Sequence, residues 1–556
     1  MTAIQTEANL LFVPLGGAGE IGMNLNLYGY GPPGEETWVM VDLGVTFSDG
    51  TLPGVDVIMP DPTFIEERKD RLAGLVLTHA HEDHIGAVQY LWPRLRCPIY
   101  ATPFTLSVLR RKLSETDFAS MVEIIEVPLG GTFEIAPFQM ELITLTHSIP
   151  EPNAIAITTP AGTVMHTGDW KFDPDPVIGP VSDEDALKRF GDAGVLAIVC
   201  DSTNVFNPGS AGSEADILEN LSNLIAECEG RVAVACFASN VARLETIANA
   251  AAANGRDVVL AGRSLQRITE AARDNGYLAD IPAFLDEEDA GFLPNDKTLI
   301  ICTGSQGEPR AALSRIANGD HPRITLGDGD VVIFSSRVIP GNEPSISRMQ
   351  DKLVQRGVKL ITPNDHMIHV SGHPARDDLT RMYQHVRPSI SVPVHGEHRH
   401  LVEHAKLAKQ CQVPESFVVE NGTSLRLGPG APGIIDHVQA GRLVVDGNRI
   451  IPTESEIVRG RIRAMWNGFA VVTVAMNGAE LAGEPQISTS GLFEDDDDPA
   501  LDAVKLAVRE GLTKLSPAAL KDDGLVLETA RIAARRALRI VVDKRPVTRV
   551  HLVRLA

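Results

Sequence analysis

The sequence predicts an α/β protein of several domains: a layered α/β domain, a second α/β domain inserted into it, and a small α+β unit at the C-terminus. Three observations lead there. The chain's 556 residues exceed what one hydrophobic core serves. Its first two hundred residues alternate short apolar runs with helical stretches and turn signals. A separate strand–helix alternation begins near Gly212 and ends near Asn364, after which site-like residues return.

In the first part, Leu11–Leu15, Thr37–Leu43, Gly74–Thr78, Pro98–Ala101 and Val195–Cys200 read as strands, with helices over Ile85–Trp92 and Thr105–Leu113. The insert reads as helix Glu214–Glu229, strand Val232–Cys236, helix Val241–Asn254 and strand Asp257–Leu260, then strands at Thr298–Cys302 and Asp330–Phe334. That order suits a parallel sheet. The expected boundaries are 1–211 and 365–425 for the interrupted domain, 212–364 for the insert, 426–460 for a Gly- and Pro-rich linker, and 461–556 for the terminal unit. There, Arg463–Met476 is strand-like, and Leu501, Val504, Val508, Leu512 and Leu515 follow helical spacing. The acidic run Glu494–Asp498 reads as a solvated loop capping that helix, with Asp498 at the N-cap and Pro499 at N1.

Composition narrows the function classes. No apolar run approaches the ~20 residues of a membrane span, and mean hydropathy is near zero. The opening MTAIQTEANL has neither a basic n-region nor an apolar h-region, so a secretory signal is not expected. Six scattered cysteines without a C-x-x-C pair read as free thiols, and the expected compartment is the cytoplasm. The formal charge of −23, from 50 Lys+Arg against 73 Asp+Glu, repels nucleic acid at long range. A nucleic-acid substrate therefore needs positive charge concentrated locally.

The chemistry concentrates in Leu75-Val-Leu-Thr-His-Ala-His-Glu-Asp-His-Ile-Gly86. Three imidazoles and a carboxylate within six residues have no use in packing. His79 and His81 alternate at a strand end and point the same way, while Asp83 and His84, past the turn, face a second point. That arrangement suits two neighbouring metals, which need further ligands at other strand ends. His147 ends Leu142–Thr146, Asp169 follows Thr163–His166 in Thr167-Gly-Asp169, and His395 ends Ser391–Val394.

H-x-H-x-D-H followed by such a His, Asp and His resembles the metallo-β-lactamase superfamily. The resemblance implies an αββα sandwich in which His79, His81 and His147 hold one metal and Asp83, His84 and His395 the other. Asp169 would bridge them, and Asp42 in Val-Asp-Leu-Gly44 would buttress the site. Zinc, two ions per chain, is favoured by the imidazoles; manganese fits the oxygen ligands.

The superfamily alone does not name a substrate. The insert carries Phe237-Ala-Ser-Asn240 and Thr303-Gly-Ser-Gln-Gly-Glu-Pro309; Asp201 ends the strand before it, and His369-Val-Ser-Gly-His373 follows it. These resemble the β-CASP nuclease group, with Asp201, His373 and His395 matching its three extra motifs. Gly16–Asn24, Pro393–Glu397, Met465–Phe469 and Gly483–Ser488 extend the similarity to the ribonuclease J family over the whole chain; the acidic run is unmatched.

The resemblance implies hydrolysis of RNA to 5′-phosphate and 3′-hydroxyl ends, 5′-to-3′ from a monophosphorylated end and internally, in RNA processing and decay. Asp83 would orient the nucleophilic water and take its proton; His373 would stabilise charge or protonate the leaving oxygen. Ser371, Gly372 and His373 would bind phosphate, with Ser239, Asn240 and Arg263 further out and Asp201 supporting the site. Expected partners are RNA, further copies in a homodimer or homotetramer, and other RNA-decay proteins, with no membrane. The Arg531, Arg535 and Arg539 stripe reads equally as a solvated helix face or an RNA contact. A β-CASP DNA nuclease and a small-molecule lactonase or thioesterase are the alternatives.

Overall fold

The computed structural model describes residues 8–48 and 50–555. The first seven residues of the stretch read for a leader lie outside them. No helix among the described residues is long and apolar enough to cross a membrane. Two compact units divide the chain, one from the residues up to 47 and 57–443, the other from 48–56 and 444 onward.

In the larger unit two sheets face each other. The first runs, by hydrogen-bonded neighbours, Gly433–His437, Thr423–Gly428, Asn9–Gly16, Leu25–Gly31, Thr37–Val41, Leu72–Val76, Ile99–Ala101 and Ile124–Glu126. The second runs Thr132–Ile135, Phe138–Thr144, Asn153–Thr159, Gly162–His166, Ala197–Asp201, Ile390–Val394 and Glu415–Ser416. Period-two alternation assigns each side chain to a layer. Phe12, Tyr28, Val39, Val41 and Val76 meet Leu142, Ile155, Ile157, Val164 and Val199 between the sheets. The intervening Ile143, Ala156, Met165, Ile198 and Cys200 turn outward against Leu187, Leu379, Met382 and Leu407 on helices Glu184–Ala193, Arg376–Val386 and His398–Gln410. Strands buried on both faces explain the continuous apolar runs. Thr37–Val41 pairs in parallel with Leu72–Val76, and Gly162–His166, Ala197–Asp201 and Ile390–Val394 are parallel neighbours. Within each sheet the C-terminal ends of these strands lie at one edge, where the candidate residues emerge.

The inserted sheet is fully parallel: Asp257–Ala261, Thr298–Cys302, Val232–Ala235, Val331–Phe334 and Lys359–Ile361, in that spatial order. Val232–Ala235 connects toward one edge of the sheet and its neighbour Val331–Phe334 toward the other, so the order reverses between them. Ligands bind open α/β sheets at such a point.

Three local readings change. The Ile85–Trp92 helix is two, Glu82–Ile85 and Val88–Leu95, parting at Gly86. The stretch 426–460 is not a bare linker: Gly433–His437 pairs with Thr423–Gly428, and strands Arg442–Asp446 and Arg449–Pro452 follow. Arg463–Met476 is half helix and half strand. Ser455 caps a helix over Glu456–Asn467, Gly468 at φ +73° ends it, and Phe469–Asn477 begins there. In the smaller unit that strand's Ala470, Val472, Val474 and Met476 pack on Leu501, Val504, Val508 and Leu512, the face expected from spacing. Helix Ala500–Thr513 takes Pro499, not Asp498, as its N-cap; Asp498 stands one residue earlier, its carboxylate accepting the Ala500 N–H at 2.9 Å.

Candidate metal centre

The turn carrying His79–His84 is held by backbone bonds to the loop after Thr37–Val41 and to Asn24, just before Leu25–Gly31. Leu43 N–H donates to the His84 carbonyl (2.7 Å), Val45 N–H to Glu82 (3.0 Å) and Asn24 N–H to Asp83 (2.9 Å). The chains approach so closely that a Cβ on Gly44 would lie 1.7 Å from the Asp83 carbonyl oxygen, which only glycine avoids.

Each imidazole but His81 is oriented through its outer nitrogen. His84 Nδ1 donates to Asp42 Oδ2 at 2.7 Å, and His79 Nδ1 to Thr78 Oγ1 at 3.0 Å. Thr78 Oγ1 in turn donates to Asp42, so one carboxylate sets two histidines. His395 Nδ1 donates to Asn24 Oδ1 (3.0 Å), and His147 Nδ1 to the Gly372 carbonyl (2.5 Å). Fixing one ring nitrogen aims the other, as the shell around a metal site does.

The inner atoms converge. His81 Nδ1 lies 3.0 Å from His79 Nε2 and 3.1 Å from His147 Nε2. Asp169 Oδ2 is 3.2 Å from His84 Nε2, 3.6 Å from His395 Nε2, 3.8 Å from His79 Nε2 and 4.0 Å from His147 Nε2. Two groups result, His79–His81–His147–Asp169 and Asp83–His84–Asp169–His395, each with ligand atoms within 4.8 Å of one another and sharing Asp169. Asp169 Oδ1 is buried with no hydrogen-bond partner among the described residues. A buried carboxylate oxygen left unpaired among imidazole nitrogens fits a bound cation. Burial and neighbouring histidines hold His79 well below its usual range, and burial lowers His81 to about 4. Both are neutral near pH 7, the state in which imidazole binds metal.

A third group, Asp201–His373–His395, adjoins them. His373 Nδ1 donates to Asp201 Oδ2 at 2.8 Å, and its ring stacks on His395. Burial disfavours its charge, but Asp201 and Asp169 outweigh burial and raise His373 to about 9. Ser371 Oγ accepts from Asn204 Nδ2 (2.6 Å) and from the His373 N–H (3.2 Å). Gly372 faces the metal side: a Cβ there would lie 2.6 Å from His147 Cε1. Gly372→Ala should therefore displace that ring and lower metal affinity or turnover by roughly 10–100-fold. Metal titration of the variant checks this, and wild-type affinity and turnover would contradict it.

The outer candidates stand on the insert. Asn240 caps helix Val241–Ala253, its Oδ1 accepting the Arg243 N–H, with Ser239 beside it. Arg263 is exposed at the start of helix Arg263–Asp274. No hydrogen bond or ion pair joins these three to the histidines among the described residues. Asn24, Thr78, Asn204 and Arg337 were not among the candidates, although each bonds a candidate residue or links to one; a buried Asn in an apolar run was the available signal for Asn24.

Family models match in sequence order. Residues 27–226 match the metallo-beta-lactamase superfamily, 229–353 the ribonuclease J beta-CASP domain, 346–415 a Zn-dependent metallo-hydrolase RNA specificity domain, and 456–555 the ribonuclease J C-terminal domain. A Sinorhizobium meliloti ribonuclease J is 43% identical over 552 residues, covering 99% of this chain and 98% of the relative. The chain belongs to the ribonuclease J family. Family members from Mycolicibacterium smegmatis (39% identical, covering 93% of this chain and 92% of the relative) and Helicobacter pylori (34%, 89% and 72%) are also similar. A crystal structure of a protein of unknown function from Enterococcus faecalis shares the fold, with TM-score 0.52 and 17% identity, covering 75% of this chain and all of that one. The ribonuclease J architecture, a metallo-β-lactamase sandwich with an inserted β-CASP domain and a C-terminal domain, is thus the fold described above.

Proposed function

We propose that this chain hydrolyses RNA phosphodiester bonds at the centre described above, using two zinc ions. His79, His81 and His147 would hold one ion and Asp83, His84 and His395 the other, with Asp169 shared. As a member of the ribonuclease J family the protein is a metal-dependent ribonuclease; the finer reading is 5′-to-3′ removal of nucleotides from monophosphorylated ends, together with internal cleavage. The observation that carries it is the sharing of Asp169 by two ligand groups, beside the Asp201–His373 pair.

Bound zinc supplies Lewis acidity that polarises the phosphate and acidifies water near neutral pH. Asp83, the most solvent-facing carboxylate of the two ligand groups, stays ionised: burial disfavours its charge but His84 and His395 more than compensate. It is placed to orient the attacking water and accept its proton. As the water oxygen bonds to phosphorus, the O3′–P bond breaks. His373, held through Nδ1 by Asp201, has Nε2 available to give the leaving 3′-oxygen a proton. Ser371, Gly372 and His373 would border the phosphate, Ser239, Asn240 and Arg263 would form its outer wall, and Asp42 and Asp201 would support the site.

The domains divide in this reading at 211, 364, 425 and 460, and the protein works in the cytoplasm. The smaller unit would mediate self-association as homodimer or homotetramer. A chain truncated before Ser455 should therefore sediment as a smaller species while retaining chemistry, and an unchanged oligomer would contradict that role. Substrate class is tested by offering 5′-labelled RNA with mono- or triphosphate ends, single-stranded DNA and a lactone side by side. Preference for monophosphorylated RNA is expected; comparable DNA or lactone turnover would overturn the reading.

A further inference from the structure

Two arginines near the site differ: Arg337 is exposed to solvent, whereas Arg243 lies in the interior. Arg243 is fully buried and neutralised by Glu214 through two contacts (2.5 and 2.9 Å), its remaining N–H groups going to Ser335 and the Ile368 carbonyl. For Arg337, no carboxylate forms an ion pair among the described residues. Its guanidinium donates to Asn204 Oδ1. Asn204 Nδ2 donates in turn to Ser371 Oγ (2.6 Å) and to the His373 carbonyl (3.1 Å), so the cation stands next to the residues proposed to border the phosphate. Through Asn204 the guanidinium is thus tied to the segment His369–His373.

The loop holding Arg337 is clamped. Gln306, buried in the run Thr303–Pro309, donates from Nε2 to the Arg337 carbonyl (2.8 Å) and accepts the Ile339 N–H at Oε1 (2.9 Å). The Thr303–Pro309 run, which has no part in the chemistry above, thus contacts the Arg337 loop through Gln306. The loop also leaves Val331–Phe334 at the point where the insert's strand order reverses. The exposed guanidinium, anchored through Asn204 and unpaired with any carboxylate among the described residues, is open to an incoming anion. Its planar fork suits phosphate oxygens, and in a chain of net charge −23 such a cation supplies the local attraction RNA requires.

We propose that Arg337 is a contact of the inserted domain with the RNA backbone, donating the N–H groups not taken by Asn204 to a non-bridging phosphate oxygen beside Ser371 and His373. This rests on the reading of the site as an RNA hydrolase. The test uses metal-loaded full-length protein and a cleavage-resistant, 5′-monophosphorylated single-stranded RNA, with dissociation constants measured over a range of salt concentrations. Arg337→Gln retains a donor for Asn204 but no charge. It should bind roughly 10–100-fold more weakly, with the slope of log affinity against log salt reduced by about 0.7. Arg337→Lys should keep the slope and most of the affinity. A Gln variant with wild-type affinity and slope would show that Arg337 only braces Asn204, overturning the inference while the function stands. Absence of RNA binding by the wild type would overturn both.

Discussion

His81→Ala and Asp83→Ala should each lower RNA hydrolysis by roughly 10⁴-fold or more, the scale at which residues acting as one catalytic unit fail. His81 Nδ1 lies between His79 Nε2 and His147 Nε2 at 3.0 and 3.1 Å, so its loss opens one ligand group at the middle. Asp83 completes the other group and is the proposed proton acceptor. The fold should survive, because these residues stand beyond the strand ends and outside the apolar clusters between and behind the sheets. Turnover, metal content by mass spectrometry and circular dichroism together check this. Near-normal turnover in a metal-depleted variant would refute the ligand assignment.

His373→Ala should separate the chemistry of the leaving group from metal binding. A fall of roughly 10²–10³ in turnover is expected, the usual effect of losing one such donor, with metal content unchanged because neither ligand group needs His373. Loss of a metal would instead make His373 a ligand, as its membership of the Asp201–His373–His395 group allows. Asp201→Asn adds a pH signature. A raised histidine acting as an acid is protonated below its pKa, so activity should hold below about 9 and fall as pH rises through it. Without the Asp201 charge that pKa drops, and the decline should begin at lower pH. An unshifted profile would remove His373 from the proton path.

Much of this was readable in the chain because it is local. His79, His81, Asp83 and His84 lie within six residues, and the insert's strands are continuous apolar runs such as Val232–Ala235 and Val331–Phe334. What was not readable depends on pairs distant in sequence. Asn24 holds His395 across 371 positions, Asn204 holds Ser371 across 167, and the need for glycine at 372 comes from a ring 225 residues away. The smaller unit misled differently: Arg463–Asn467 runs straight into the apolar strand Phe469–Asn477 and reads as part of it, but the Ser455 cap and the Gly468 stop set a helix whose only fully buried residue is Val458.

The central claim is that paired metals at the shared Asp169 carry out RNA hydrolysis. Its most direct test strips the protein with a chelator, restores zinc or manganese stepwise, and follows bound metal and cleavage of 5′-monophosphorylated RNA in the same samples. The stripped protein should cleave nothing, and activity should return as occupancy approaches two ions per chain. Full activity in stripped protein, or full activity regained at one ion per chain, would contradict the claim.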